Sequence, residues 1–372
     1  MAEKKLPIVI DNYIRSECWT QILFSIIQTS ENAPAWIASH IGIIGAEDMG
    51  CWYGNLSKIF SYRNALDILN VEEVNIWNVK PEKIVDFLLG EIDDDNYIVV
   101  ELKRRADNDK GYQIHEQLIF GYDDEMQLFY GSILGENGIF KEITISFDEM
   151  YLLYQESYHH FQDPANKEEF IYWSRSNFLI TRMCLRNDYR PQGCTYDFLQ
   201  NMVIEADGKE HITLQYDGNK NIMLEKRMYS GVACLLAAEK RMDALLHDRH
   251  FIDKDTDIEY NDLFGQLAFK LAKDFYKLYE HRKIILQSLY WFYEITGVQS
   301  HQNSPHVKAY EKCCKEMDKY YSLALKFRHS RDWNVLVHLR DAFSHQYKKE
   351  HAALDALVGE CKDIWYTSKQ KI

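Results

Sequence analysis

Proline is scarce in this chain, at 6 of 372 residues, so long proline-rich linkers are excluded and regular structure is expected through most of its length. Positive charge is in deficit: 43 Lys and Arg against 57 Asp and Glu leave a net charge of −14. That balance argues against non-specific nucleic-acid binding and against an anionic membrane surface. No apolar run reaches the roughly 18 residues that a membrane span requires. The first residues, MAEKKLPIVIDNYIRSE, lack an apolar stretch followed by a small-residue cleavage site. The 8 cysteines, at positions 18, 51, 184, 194, 234, 313, 314 and 361, show no C-x-x-C spacing and no disulfide framework. No Walker A motif and no dinucleotide-binding glycine fingerprint occurs. These absences together predict a soluble, reduced, cytoplasmic protein.

What is present is material for a core. Apolar residues make up 46% and charged residues 27% of the chain, with 25 Tyr, 18 Phe and 8 Trp, a composition of packed rather than disordered chains. Trp19, Ile22, Leu23, Ile26 and Ile27 follow helical spacing. Ser16 offers the N-cap, so Cys18 falls in the first turn. PEKIVDFLLG (81–90) reads as a helix opened by Pro and closed by Gly. NYIVVELKRR (96–105), YQIHEQLIFGY (112–122), MQLFYGSIL (126–134) and IFKEITIS (139–146) read as strands joined by turns, followed by a helix from 147. VEEVNIW (71–77) is a strand or a helix entry, and residues 33–60 give no clear pattern. Beyond about 170 a hairpin is expected at 211–226 and helices at 230–246, 260–296, 305–329 and 331–366. Arg182, Arg186 and Arg190, at i, i+4 and i+8, would line one helical face. The fold class is α+β, in two domains: 1–170, and 171–372, which is mostly helical with a small β hairpin.

A thiolate is the reactive form of cysteine, and a helix N-terminus stabilises it. A neighbouring imidazolium stabilises it further. Cys18 is therefore the candidate nucleophile and His115 its candidate base. Asn12, six residues before Cys18, can donate its amide to an oxyanion beside the Cys18 backbone N–H.

The order Asn12, Cys18, His115 resembles the papain-like fold, in which the Cys opens a central helix and the His enters on a later β hairpin. The run HEQLIFGYDDEMQLFYGS (115–132) looks like the His hairpin of bacterial papain-like peptidases that process double-glycine leaders. It looks still more like that of the butirosin-type BtrH acyltransferases and related amide-forming enzymes of antibiotic assembly lines. The resemblance covers roughly 12–150. It implies a Cys18 acyl-enzyme, an acyl group delivered on the phosphopantetheine arm of an acyl or peptidyl carrier protein, an amine acceptor, and no other cofactor. One departure stands out. The family's His-orienting Asp falls on Gly131, beside Tyr130 and Ser132. Asp123 and Asp124 lie in the turn, too far off, which leaves Ser132, a backbone carbonyl or a residue from elsewhere to orient His115, or else a dyad or a catalytically weakened enzyme.

Three functions follow. The first is acyl transfer to an amine, with Lys103, Arg104 and Arg105 as the docking patch for an acidic carrier. The second is a cysteine peptidase or amidase, in which water is the acceptor. The third is a non-catalytic relative that binds an acyl chain or a carrier. The helical half suits a closed acceptor pocket or a homodimer. Other motifs carry less. Cys194 in PQGCT comes too late in the chain. Cys313 and Cys314 are adjacent and cannot share a site. His159 with His160, and the HDRH run (247–250), lack the three or four ligands of a zinc site. Trp36, Trp52, Tyr53 and Tyr62 are compatible with an aryl substrate but equally with a core.

Overall fold

The computed structural model describes residues 3–10, 14, 18–40, 44–47, 50–55, 58–59, 65–105, 112–134, 140–163, 178–216, 222–254, 263–298 and 300–369. In chain order the elements are β1 (Glu3–Lys5), α1 (Cys18–Ile27), α2 (Ala33–His40), β2 (Ile44–Glu47), β3 (Gly50–Asn55), β4 (Lys58–Ile59), β5 (Leu69–Asn75), α3 (Ile84–Asp93), β6 (Tyr97–Arg105), β7 (Tyr112–Asp123) and β8 (Leu128–Leu134). They continue with β9 (Phe140–Ser146), α4 (Phe147–Gln162), β10 (Phe178–Leu185), α5 (Cys194–Asp207), β11 (Glu210–Tyr216), β12 (Ile222–Ser230), α6 (Cys234–Lys254), α7 (Leu263–Thr296), α8 (Pro305–Ser330), α9 (Trp333–Phe343) and α10 (Gln346–Lys369). The protein is thus of the mixed α+β class, with antiparallel sheets. It divides into two compact units that interleave along the chain, 1–33 with 61–190 and 34–60 with 191–372. The break expected at 170 falls instead near 190, and the stretch 34–60 joins the second unit.

In the first unit the strand order is β5-β10-β6-β7-β8-β9, with β1 also paired to β7. The run β6 to β9 is a meander whose strands follow from alternating apolar residues, with a tight turn between β7 and β8. Asp123 caps the β7–β8 turn by accepting the Met126 N–H at 2.9 Å, and Gln127 takes a positive φ of 53° there. Gly121 is required for the approach of β1, because a Cβ on it would sit 2.7 Å from Lys4 O. Ser146 ends the meander and caps α4, accepting the Glu149 N–H. Both faces of the central strands are covered. Ile98, Val99, Val100, Leu118 and Ile119 are buried throughout. On the face of Ile98, Arg182 reaches Glu91 of α3, and Phe129 stacks on Phe147 of α4 with ring centroids 4.6 Å apart.

Arg182, Arg186 and Arg190 do not share a helix. Arg182 lies in β10, paired with Ile98, while Arg186 and Arg190 follow the strand. The segment FLITRMCL is a strand, and a spacing of four keeps one face of a strand as readily as one face of a helix.

The second unit has the strand order β11-β12-β2-β3-β4 and helices packed around the 34-residue α7. The hairpin and helices expected there are present, although 331–366 is two helices, α9 and α10, broken at Ser344. Polar groups are buried with the apolar core. Arg282 donates to Glu350 at 2.8 Å with both side chains fully buried. Lys277 donates to Cys51 O at 2.6 Å, and Asp274 accepts the Cys51 N–H at 2.9 Å and pairs with Arg241.

Candidate active site

Cys18 is the first residue of α1. Asn12 and Ser16 lie outside the described residues. His115 lies on β7 with Leu102 of β6 as its ladder partner. For Cys18 and His115 the backbone alone is described, so it is their position in the fold that can be compared.

Hydrogen bonds fix how α1 runs. Leu6 N–H donates to Phe120 O, Val9 N–H to Ser25 O, and Gln21 Nε2 to Ile10 O, at 2.8, 3.0 and 3.0 Å. The chain after β1 therefore passes antiparallel to β7 and then to α1. The far end of α1 is tied to the start of β6, where the Tyr97 hydroxyl donates to Pro7 O and bonds Thr29. The 10 residues of α1 rise about 15 Å, the length of about four to five strand residues. From the level of Tyr97 this carries Cys18 to the level of Glu101 and Leu102. The candidate nucleophile and base thus come to the same end of the sheet. The basic run Lys103, Arg104 and Arg105 closes β6 at that end, paired with Ile114, Gln113 and Tyr112.

Register also separates residues. Tyr97, Val99 and Glu101 alternate onto one face, the one that meets the α1 end. Through the pairs Val99–Leu118 and Leu118–Ser132 this face takes in Leu118 and Ser132, and through Glu101–Glu116 it takes in Glu116. Position 115 has the parity of Gln117, Ile119 and Gly131. Ser132, buried at 1% exposure, is therefore on the other face of the ladder from position 115. Gly131 has the right parity but no room: a Cβ there would lie 2.9 Å from Leu118 O and 3.1 Å from Ile119 Cδ1. No side chain fits at that place, because the backbone of the neighbouring strand closes it. Asp123 lies eight positions along β7 from His115, about 26 Å of strand.

Two buried polar residues near this end were not singled out as site residues. Gln117 is fully buried, and among the described residues neither atom of its amide has a hydrogen-bond partner. Glu101 is 9% exposed and faces Glu116 directly across the ladder. Burial, then the Glu116 charge, push its pKa up to about 8. Alternation on a half-buried strand was the available signal, since a Glu in the register of Val99 falls on an apolar face.

Cys234, Cys313, Cys314 and Cys361 behave as core. Burial raises the thiol pKa of Cys234, Cys314 and Cys361, and that of Cys313 to about 12. Cys194 opens α5 but is buried, at 6% exposure. Among the described residues no group of three or more His, Cys, Asp and Glu side chains could hold a metal, and no helix is long and apolar enough to cross a membrane. A cleft of about 590 Å³ in the first unit is lined by Leu66, Leu69, Asn70, Arg182, Cys184 and Arg186, among others. Its guanidinium groups are already engaged, Arg182 with Glu72 and Glu91 and Arg186 with Asp188.

No protein-family model matches the chain, and the comparison with curated proteins finds no match.

Proposed function

We propose that the chain is a papain-like, cysteine-dependent acyltransferase that makes an amide from a thioester, the acyl group arriving on the phosphopantetheine arm of a carrier protein. The Cys18 thiolate attacks the thioester carbonyl, the bond to the carrier sulfur breaks, and the carrier thiol leaves with a proton. An amine then attacks the acyl-Cys18 carbonyl, the carbon–sulfur bond breaks, and the Cys18 thiolate is regenerated. His115 moves the proton, and the Asn12 amide with the Cys18 N–H stabilises the oxyanion. The observation that carries this reading is that α1 begins with Cys18 at the end of the sheet where β7 brings in His115. The basic end of β6 beside it suits an acidic carrier.

A second reading, a non-catalytic binder of acyl chains or carriers, is favoured by the closed place at Gly131 and by the opposite parities of position 115 and the α1 face. Intact-protein mass spectrometry after incubation with acyl-pantetheine thioesters separates the two. Acyl transfer requires an adduct on the native protein that is lost in Cys18→Ala and strongly reduced in His115→Ala. Release of that adduct as an amide on adding amines supports transfer, whereas release as an acid without amine dependence supports a hydrolase. No adduct across the panel, with Cys18 alkylating no faster than a free thiol, leaves the binder.

A further inference from the structure

Glu101 is a buried carboxyl group for which the fold supplies no structural use. It is more than nine-tenths buried, and no hydrogen bond reaches it among the described residues. Its cross-strand neighbour on the same face is another carboxylate, Glu116, and like charges opposed in a ladder destabilise the pair. An unpaired buried acid is costly and persists where it serves chemistry. Its place is specific. It shares the face of Tyr97, the residue tied to the end of α1, and it stands at the level to which the length of α1 carries Cys18.

We propose that Glu101 is the proton acceptor for the amine that resolves acyl-Cys18, with Glu116 beside it drawing that amine in as its ammonium form. This rests on the acyl-transfer reading above. The acceptor class is then a primary amine, cationic in solution. It binds against the two carboxylates and loses one proton to solvent to reach its nucleophilic form. Attack on the acyl-Cys18 carbonyl forms the carbon–nitrogen bond, the nitrogen's second proton passes to the Glu101 carboxylate, and the carbon–sulfur bond breaks to release the Cys18 thiolate. Glu101 returns its proton to solvent before the next cycle. Among the described residues the titratable groups on its face are Glu116 across the ladder and Tyr97 along β6, with Lys103 two positions along β6 in the chain and Cys18 at the start of α1. Water carries no charge for the pair to attract, so the carboxylates would set the choice of amine over water.

The test compares the native protein with Glu101→Gln and Glu116→Gln, each loaded with an acyl-pantetheine thioester and then given a cationic amine such as putrescine, or a neutral hydroxylated analogue. Products are read as amide against acid across pH 6 to 9. The expected result is an adduct in all three proteins, with the amide-to-acid ratio at least tenfold lower in Glu101→Gln and its rise with pH flattened. In Glu116→Gln the preference for the cationic over the neutral acceptor is lost. A thermal melt shows whether each variant is folded, and Glu101→Asp, which keeps the carboxylate, should recover part of the ratio. An unchanged ratio and pH profile in folded Glu101→Gln overturns the proposal while the acyl-transfer reading stands. Absence of an adduct on the native protein overturns that reading instead.

Discussion

At the scale of single residues, the informative positions are those where chemistry and environment disagree. Gln117 is fully buried with an amide that has no partner among the described residues, and leaving a buried polar group unsatisfied costs about 1–3 kcal/mol. Replacing it by Leu, of similar volume, should raise stability by about 1–2 kcal/mol, seen as a higher urea midpoint at unchanged slope. A lower midpoint would mean that the amide is bonded in solution. The start of α1 at Cys18 was legible because helical spacing is a local signal. Ser132 was not, because its face depends on the ladder. The register shifts between Ile119 and Gly121, and no local pattern announces that irregularity. Glu101 was legible only as a residue out of pattern, since its burial comes from strands and a helix distant in sequence.

At the scale of elements, periodicity read most of the meander and the long helices, and it failed where two periods coincide. Arg182 and Arg186 satisfy a helix and a strand alike, so β10 was hidden. The break between α9 and α10 was hidden because apolar spacing continues through it. Caps are where elements are fixed most locally. Ser304 accepts the Val307 N–H at 3.0 Å to begin α8, with Pro305 at the first helical position, and donates to Glu360 of α10 at 2.6 Å. Ser304→Ala removes both bonds and should cost about 1–2 kcal/mol. Ser304→Asp keeps the cap acceptor but sets a carboxylate against Glu360, so its loss should shrink at acidic pH. Denaturant titrations of both variants at two pH values measure this, and an equal loss at both pH values would dismiss the Glu360 bond.

At the scale of the whole molecule, the interleaving of the two units could not be read from composition, because residues 34–60 join strands and helices found more than a hundred positions later. Each unit nonetheless holds a carboxyl of the same kind. Glu101 in the first and Glu205 in the second both rise from an ordinary 4.5 to about 8. In Glu205 burial dominates over the Arg282 guanidinium. His281 Nδ1 is 3.8 Å away, at the outer limit of an ion pair, so we read Glu205 as the neutral acid. A carboxyl whose folded pKa is raised binds a proton in the folded chain that the unfolded chain has already lost. Each therefore contributes stability that is whole below about pH 4.5 and is lost as the pH rises through about 8. Exposed ion-paired carboxylates such as Glu210 and Asp188 have lowered pKa values, from their Lys240 and Arg186 bonds, and act in the opposite sense only at acid pH. Stability should consequently fall from mildly acidic pH toward pH 8. Urea midpoints measured every half unit from pH 5 to 9 should show a negative slope that Glu101→Gln and Glu205→Gln each reduce, and the double variant should nearly abolish it. A native slope of zero or above would mean that both groups are charged in the folded protein. A slope altered by Glu205→Gln but not by Glu101→Gln would mean that Glu101 carries its charge at neutral pH, which would take from it the ability to titrate in the range where an amine is deprotonated.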